Sequence, residues 1–204
     1  MKTIIYEKQD LIAIVSALQD GKVIAFPTDT VCGVGVVYDN RLALQALKDA
    51  KGRDENKPIP MMVSSVEQFL QVAELPDYAY KLIEAFMPGA FTLICKKKET
   101  VDDYITNGFD TIAIRIPNDT FVLSLLHQLG KPMLVSSANI SNQNAATNEQ
   151  EVLEQLDGKI HGVVKGFSKQ SSASTIVDVS KENIAYIREG SILFSEIKNI
   201  LEES

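Results

Sequence analysis

KVIAFPTDTVCGVGVV, residues 22–37, opens as a strand, bends, and continues as a second apolar run. Residues 23–26 are wholly apolar, as in strands buried on both faces. Pro27 has no N–H to give to a ladder and ends that strand. Thr28, Asp29 and Thr30 then bring two hydroxyls and a carboxylate, and a Gly-punctuated run fills residues 31–37. Two strands flanking such a bend place its polar groups at the end of a sheet, where open sheets bind ligands. The same stretch also serves as a plain strand–turn–strand.

Outward from this stretch, apolar periodicity alternates between strand and helix. Residues 3–6 read as a strand and 10–20 as a helix with Leu11, Ile14, Val15 and Leu18 on one face. Asn40 caps a helix with Ala43, Ala46, Leu47 and Ala50 on one side. Residues 51–58 form a polar loop, 59–63 a buried strand, and Ser65 with Gln68 a capping box for a helix through Ala73. A helix over 76–86 stops at Pro88-Gly89, and strands follow at 91–95 and 111–116. A helix at 119–129 ends at Gly130, and a strand at 133–135 runs into Ser136-Ser137-Ala138-Asn139. A loop at 142–148, a helix at 149–156, strands at 163–164, 175–179 and 184–187, and a last helix capped by Ser195 complete the chain. Residues 25–37 and 175–187 suggest adjacent antiparallel pairs within an otherwise alternating order. The expected fold is therefore a single α/β domain over 1–204, a mixed parallel and antiparallel sheet flanked by helices.

The 204 residues suffice for one domain with a substantial core, and 45% hydrophobic with 23% charged residues is an ordinary globular composition. A net charge of −7 argues against broad, sequence-independent nucleic-acid binding. No apolar run approaches the ~20 residues of a membrane span. The N-terminus lacks a signal-peptide pattern, which with two strand-borne cysteines, Cys32 and Cys95, leads to the expectation of a cytoplasmic protein without membrane association. His127 and His161 show no metal-ligand spacing, so no protein-held metal is expected.

No P-loop, dinucleotide fingerprint or nucleophile elbow is present. Lys51, Arg53 and Lys57 concentrate positive charge in an acidic chain, as a phosphate site or as a solvated loop. Arg115 sits inside the apolar run Ile112-Ala113-Ile114-Arg115-Ile116, where a charge must be paired, with a neighbour's carboxylate or a ligand's. Ser136 to Asn139 offers hydroxyls and an amide at a sheet end. Ser174 opens a strand and Arg188 closes one. None of these clusters contains a nucleophile–base pair. The set suits an anionic ligand in a reaction run by positioning and charge stabilisation, such as nucleotidyl transfer.

These segments resemble, in order, the motifs of the YrdC-like family, the threonylcarbamoyl-AMP synthases. Pro27 to Val34 resembles P-T-[DE]-T-V-Y-G-L, and Lys51-Gly52-Arg53 with Lys57-Pro58 resembles its K-x-R motif and following polar-Pro pair. Pro88 to Thr92, Thr111 to Pro117, Ser137 to Ser141, Ser174 to Asp178 and Ile187 to Gly190 resemble its remaining signatures. The resemblance implies a twisted YrdC-like α/β domain with a positively lined cavity. It implies the synthesis of L-threonylcarbamoyl-adenylate and pyrophosphate from ATP, bicarbonate and L-threonine. ATP would be a substrate carrying Mg²⁺, and transfer proteins or tRNA reading ANN codons would be partners. Carried over, Lys51, Arg53 and Lys57 hold ATP phosphates, with Lys51 and Arg53 stabilising charge; Ser137, Asn139 and Arg188 hold the nucleotide; Thr30, Arg115 and Ser174 bind threonine, Arg115 through its carboxylate. Cys32, Val34, Ala90 and Asn142 depart from the pattern, and Met62 stands where one long branch has a His. The chain end at Ser204 matches the single-domain form. Two alternatives share the fold, a non-catalytic RNA-binding paralogue and a carbamoyl-adenylate-forming domain.

Overall fold

The computed structural model describes residues 2–169 and 173–202. In order these form β1 (Ile4–Tyr6), α1 (Leu11–Gln19), β2 (Ile24–Phe26), β3 (Gly33–Val37), α2 (Arg41–Lys51), β4 (Met61–Met62), α3 (Val66–Val72), β5 (Ala73–Glu74), α4 (Asp77–Phe86) and β6 (Phe91–Lys97). The second half adds α5 (Asp103–Thr106), β7 (Thr111–Arg115), α6 (Thr120–Leu129), β8 (Met133–Ser137), α7 (Glu149–Leu156), β9 (Gly162–Val164), β10 (Thr175–Asp178), β11 (Ala185–Arg188) and α8 (Phe194–Glu202). One sheet runs β1-β9-β2-β3-β8-β4-β7-β6-β10-β11, with β5 paired to the end of β6.

The sheet is mixed, as the sequence suggests. β1–β9, β2–β9, β4–β7 and β6–β10 are parallel. β2–β3 and β10–β11, the two pairs expected to be antiparallel neighbours, are so. Strand alternation sorts side chains into two cores. Ala25 and Leu134 face the larger cluster with Leu47, Phe69, Leu82 and Phe91. Ile24, Phe26, Met133 and Val135 face the smaller one against Ile14, Leu18, Val122 and Leu125 of α1 and α6. Helices thus cover both faces, which is why the central strands read as continuous apolar runs.

Cap chemistry follows the sequence in two places. The Asn40 side chain accepts from Ala43 N at 3.0 Å, and Ser65 Oγ accepts from Gln68 N at 3.2 Å. The return bond of the second goes elsewhere: Gln68 Oε1 accepts from Ser64 N at 2.8 Å. The strand expected over 59–63 contracts to β4, because Pro60 has no N–H for the ladder. β8 continues to Ser137, two residues further than expected, since Ser136 and Ser137 stay in register with Val34 and Gly33. Ser195 lies inside the first turn of α8, whose leading amide at Phe194 is satisfied by Glu189 at 2.7 Å. β5 and α5 are too short to show any period.

Gly35 marks a close approach in the centre of the sheet. A Cβ there would lie 2.9 Å from both Leu134 O and Val135 Cγ2. Gly35→Ala is expected to destabilise the fold by about 1–3 kcal/mol through overpacking, read as a lower urea midpoint at unchanged m.

Candidate active site

The bend after β2 is held by its own hydroxyls. Thr28 Oγ1 donates to Val31 O at 2.8 Å and accepts from Thr30 N at 3.0 Å, so the chain reverses without help from a ladder. This turns Thr28 and Thr30 into a cavity of about 370 Å³. The cavity lies across the ends of β3, β7, β8 and β10, where Arg115, Ser137 and Ser174 end or flank strands.

Arg115 is the most constrained group there. It is 5% exposed. Its Nη2 pairs with Asp29 Oδ1 at 2.5 Å, its Nη1 donates to Thr30 Oγ1 at 2.9 Å, and its Nε donates to Gly89 O at 2.9 Å. Burial lowers the guanidinium from its ordinary value and the Asp29 carboxylate opposes that shift. The partner that a buried Arg115 demands is thus supplied inside the chain by Asp29, and a ligand carboxylate is not needed to pair it. A guanidinium has five N–H donors; these bonds engage three, leaving two for a ligand.

Six of the nine residues singled out by sequence meet at this cavity: Thr30, Arg53, Arg115, Ser137, Ser174 and Arg188. Arg53 is set by two carbonyls, donating from Nε to Lys57 O at 3.1 Å and from Nη2 to Pro58 O at 2.8 Å. Arg188 reaches back from β11, donating from Nε and Nη2 to Ser174 O at 3.0 and 2.8 Å. Burial lowers both arginines from their ordinary values, and for Arg188 the nearby Arg115 charge adds to it.

Three residues do not line the cavity. The Lys57 side chain points to solvent, and its contribution is the carbonyl that holds Arg53. Asn139 is turned onto its own loop, donating from Nδ2 to Ile140 O at 2.7 Å and to Gln143 O at 2.9 Å. Lys51 is 1% exposed and donates to Ser137 O and, at 2.7 Å, to Asn139 O. The Lys51 ammonium and the Asn139 amide nitrogen are thus held by main-chain carbonyls and the Lys57 head lies in solvent, while Asn139 Oδ1 is buried without a hydrogen-bond partner among the described residues.

The structure adds residues that the sequence reading left unassigned. Thr92 Oγ1 lies 2.8 Å from Ser174 Oγ, both buried at the cavity wall. The available signal was its place at the end of the Pro88 to Thr92 signature, where a Thr opens the apolar run of β6. Met62 and Cys32 also form wall, and Ser168 Oγ donates to Cys32 Sγ at 3.3 Å. Burial pushes the Cys32 thiol up, away from the reactive thiolate. The cavity therefore presents three guanidinium groups, and its nearby carboxylate, Asp29, is already paired. Among the described residues no group of three or more His, Cys, Asp or Glu side chains is placed to hold a metal, and no helix is long and apolar enough to cross a membrane.

Comparison with known proteins places the chain among its relatives. The family model Sua5_yciO_yrdC, described as "Telomere recombination", matches residues 16–190. A threonylcarbamoyl-AMP synthase of Vibrio parahaemolyticus is 32% identical over 181 residues, covering 87% of this chain and 97% of that protein. One of Pyrococcus abyssi is 34% identical over 188 residues, covering 91% of this chain but 55% of that protein, so the chain spans about half of that relative's length. A crystal structure of P. abyssi Sua5 complexed with L-threonine superposes with a TM-score of 0.92 at 30% identity, covering 98% of this chain and 61% of that one. Matched through most of its length by the family model, the chain belongs to the Sua5/YciO/YrdC family.

Proposed function

We propose that this protein is an L-threonylcarbamoyl-adenylate synthase, using L-threonine, bicarbonate and ATP and releasing pyrophosphate. The observation that carries the reading is the convergence of Arg53, Arg115 and Arg188 with the hydroxyls of Thr30, Ser137 and Ser174 on one cavity in a chain of net charge −7. Such a site attracts anions and stabilises charge without a nucleophile. The L-threonine held by the P. abyssi protein and the synthase names of the relatives support the same substrate set.

In this reading the threonine amine takes up CO₂ from bicarbonate to give N-carboxythreonine. Its carboxylate attacks the α-phosphorus of ATP in line, and the P–O bond to pyrophosphate breaks. Arg115 and Thr30 orient the amino acid, with Ser174 held by Thr92 at its side. Arg53, Arg188 and Ser137 engage the nucleotide and offset its charge as pyrophosphate departs. The described residues offer no cage for a metal, and Mg²⁺ belongs in this reading to the ATP substrate as the phosphates' own counter-ion. The product is an activated carbonyl, which suits transfer to a tRNA adenosine by partner proteins.

The test is pyrophosphate release from ATP and bicarbonate with each proteinogenic amino acid supplied in turn. Release that requires both threonine and bicarbonate is expected. Salt-sensitive tRNA binding without any turnover would instead support an RNA-binding relative of the synthases.

A further inference from the structure

We propose that Asn107 is a positioning residue for Arg53: its side-chain amide bridges the Lys48 ammonium and the Glu55 carbonyl, and so fixes the loop that presents Arg53 to the cavity. The inference rests on the nucleotide reading of that cavity. Arg53 is braced by carbonyls of its own loop, Lys57 O and Pro58 O. Those bonds tie the guanidinium to the loop, but they do not tie the loop to the rest of the protein. Among the described residues, every hydrogen bond and ion pair that residues 54–57 make beyond 53–58 falls on Glu55.

Asn107 Nδ2 donates to Glu55 O at 2.8 Å, and Gln45 Nε2 donates to Glu55 Oε1 at 3.0 Å. Lys48 Nζ lies further off, 3.4 Å from both Glu55 O and Glu55 Oε2. The short tie to the loop's main chain is therefore the one from Asn107. Lys48 is 6% exposed, and a buried ammonium has to keep acceptors. Asn107 Oδ1 is its nearest, at 2.8 Å. That bond sets the plane of the Asn107 amide and aims Nδ2 at Glu55 O. Asn107 closes α5 with φ of +55°, a backbone that Asn tolerates better than most residues. Lys48 holds the other side of Arg53, its carbonyl accepting from Arg53 N at 3.0 Å. None of Gln45, Lys48, Glu55 and Asn107 lines the cavity, so the clasp reaches the ligand only through Arg53. With the clasp open, residues 54–57 are held only at their ends, and the guanidinium moves with the carbonyls to which it is bound.

The experiment compares Asn107→Gly, Arg53→Ala and the double variant. Gly accepts the left-handed backbone and removes only the amide. The readouts are amide hydrogen exchange at Asn56 and Lys57, which bond within the loop to Asp54, and the KM values for ATP and for L-threonine in pyrophosphate release. Asn107→Gly is expected to speed exchange at both amides. It is expected to raise the KM for ATP by about fivefold, the worth of one hydrogen bond, and to leave that for L-threonine unchanged. In the Arg53→Ala background the same substitution is expected to add nothing to the loss for ATP, because residues that act through one another are not additive. Should Asn107→Gly fail to fold, Asn107→Asp, which keeps the acceptor for Lys48 and loses the donor to Glu55 O, carries the same comparison. Unchanged exchange, equal losses for both substrates, or a loss for ATP that persists in full without Arg53 overturns the proposal. Wild-type protein that releases no pyrophosphate with any amino acid would remove the nucleotide reading instead, and loop exchange in the Asn107 variants would still decide whether Asn107 is the tie.

Discussion

Replacing Arg115 by Met is expected to eliminate threonine-dependent pyrophosphate release and to destabilise the fold by about 3–5 kcal/mol, the range found when one partner of a buried ion pair is removed. Both partners are buried, with side-chain exposures of 6% each. Without Arg115 the Asp29 carboxylate stays buried without its cation, and Thr30 Oγ1 and Gly89 O lose their donor. The two effects separate in the double variant Asp29→Asn with Arg115→Met. Removing the stranded charge recovers much of the stability, since a buried pair replaced by neutral groups is close to neutral. Activity is not expected to return, because in the proposed reading the guanidinium orients the amino acid. Denaturant midpoints and turnover measured on both variants check this. Wild-type turnover in the single variant would take Arg115 out of the substrate site and leave it a fold element.

Replacing Arg53 by Ala is expected to lower pyrophosphate release by about 10²–10³, the usual consequence of removing one preorganised charge from a phosphoryl-transfer site. Stability falls by only about 1 kcal/mol, because the two carbonyls that Arg53 holds, on Lys57 and Pro58, lie in an exposed loop and can turn to water. Arg53→Lys keeps the charge but not the planar fork that is fixed by those carbonyls, so it recovers little. Single-turnover measurements of pyrophosphate release at saturating threonine read the effect. A variant with ordinary release would refute the role and point to Arg188 as the principal phosphate contact.

The buried Arg115 shows how far sequence reasoning reaches. A cation within Ile112 to Ile116 has to be paired, and that requirement is visible in the string itself. The partner is not visible, because Asp29 is 86 residues away and meets Arg115 only through the packing of β2's bend against the end of β7. Lys51 shows the opposite case. Its spacing to Arg53 in a basic cluster suggests a shared ligand, but α2 ends between them at a left-handed Gly52, and their heads take different partners, Ser137 O and Asn139 O for Lys51 and Lys57 O and Pro58 O for Arg53. Spacing along a chain fixes direction only inside one regular element, and K-x-R straddles a helix terminus.

What the sequence by itself determined is what depends on local pattern and composition. That includes the alternating α/β order, the two antiparallel hairpin-like pairs, the Asn40 and Ser65 caps, and the ordered motifs that resemble one family. What only the tertiary structure decided is which polar groups share a space. It gathered Thr30, Arg53, Arg115, Ser137, Ser174 and Arg188 at one cavity, added Thr92, and turned Lys51, Lys57 and Asn139 away from it. The reason is physical. Helix and strand periods are set by neighbours a few residues apart, whereas the direction of a polar head is set by the nearest unsatisfied partner, which a folded sheet can bring from anywhere in the chain.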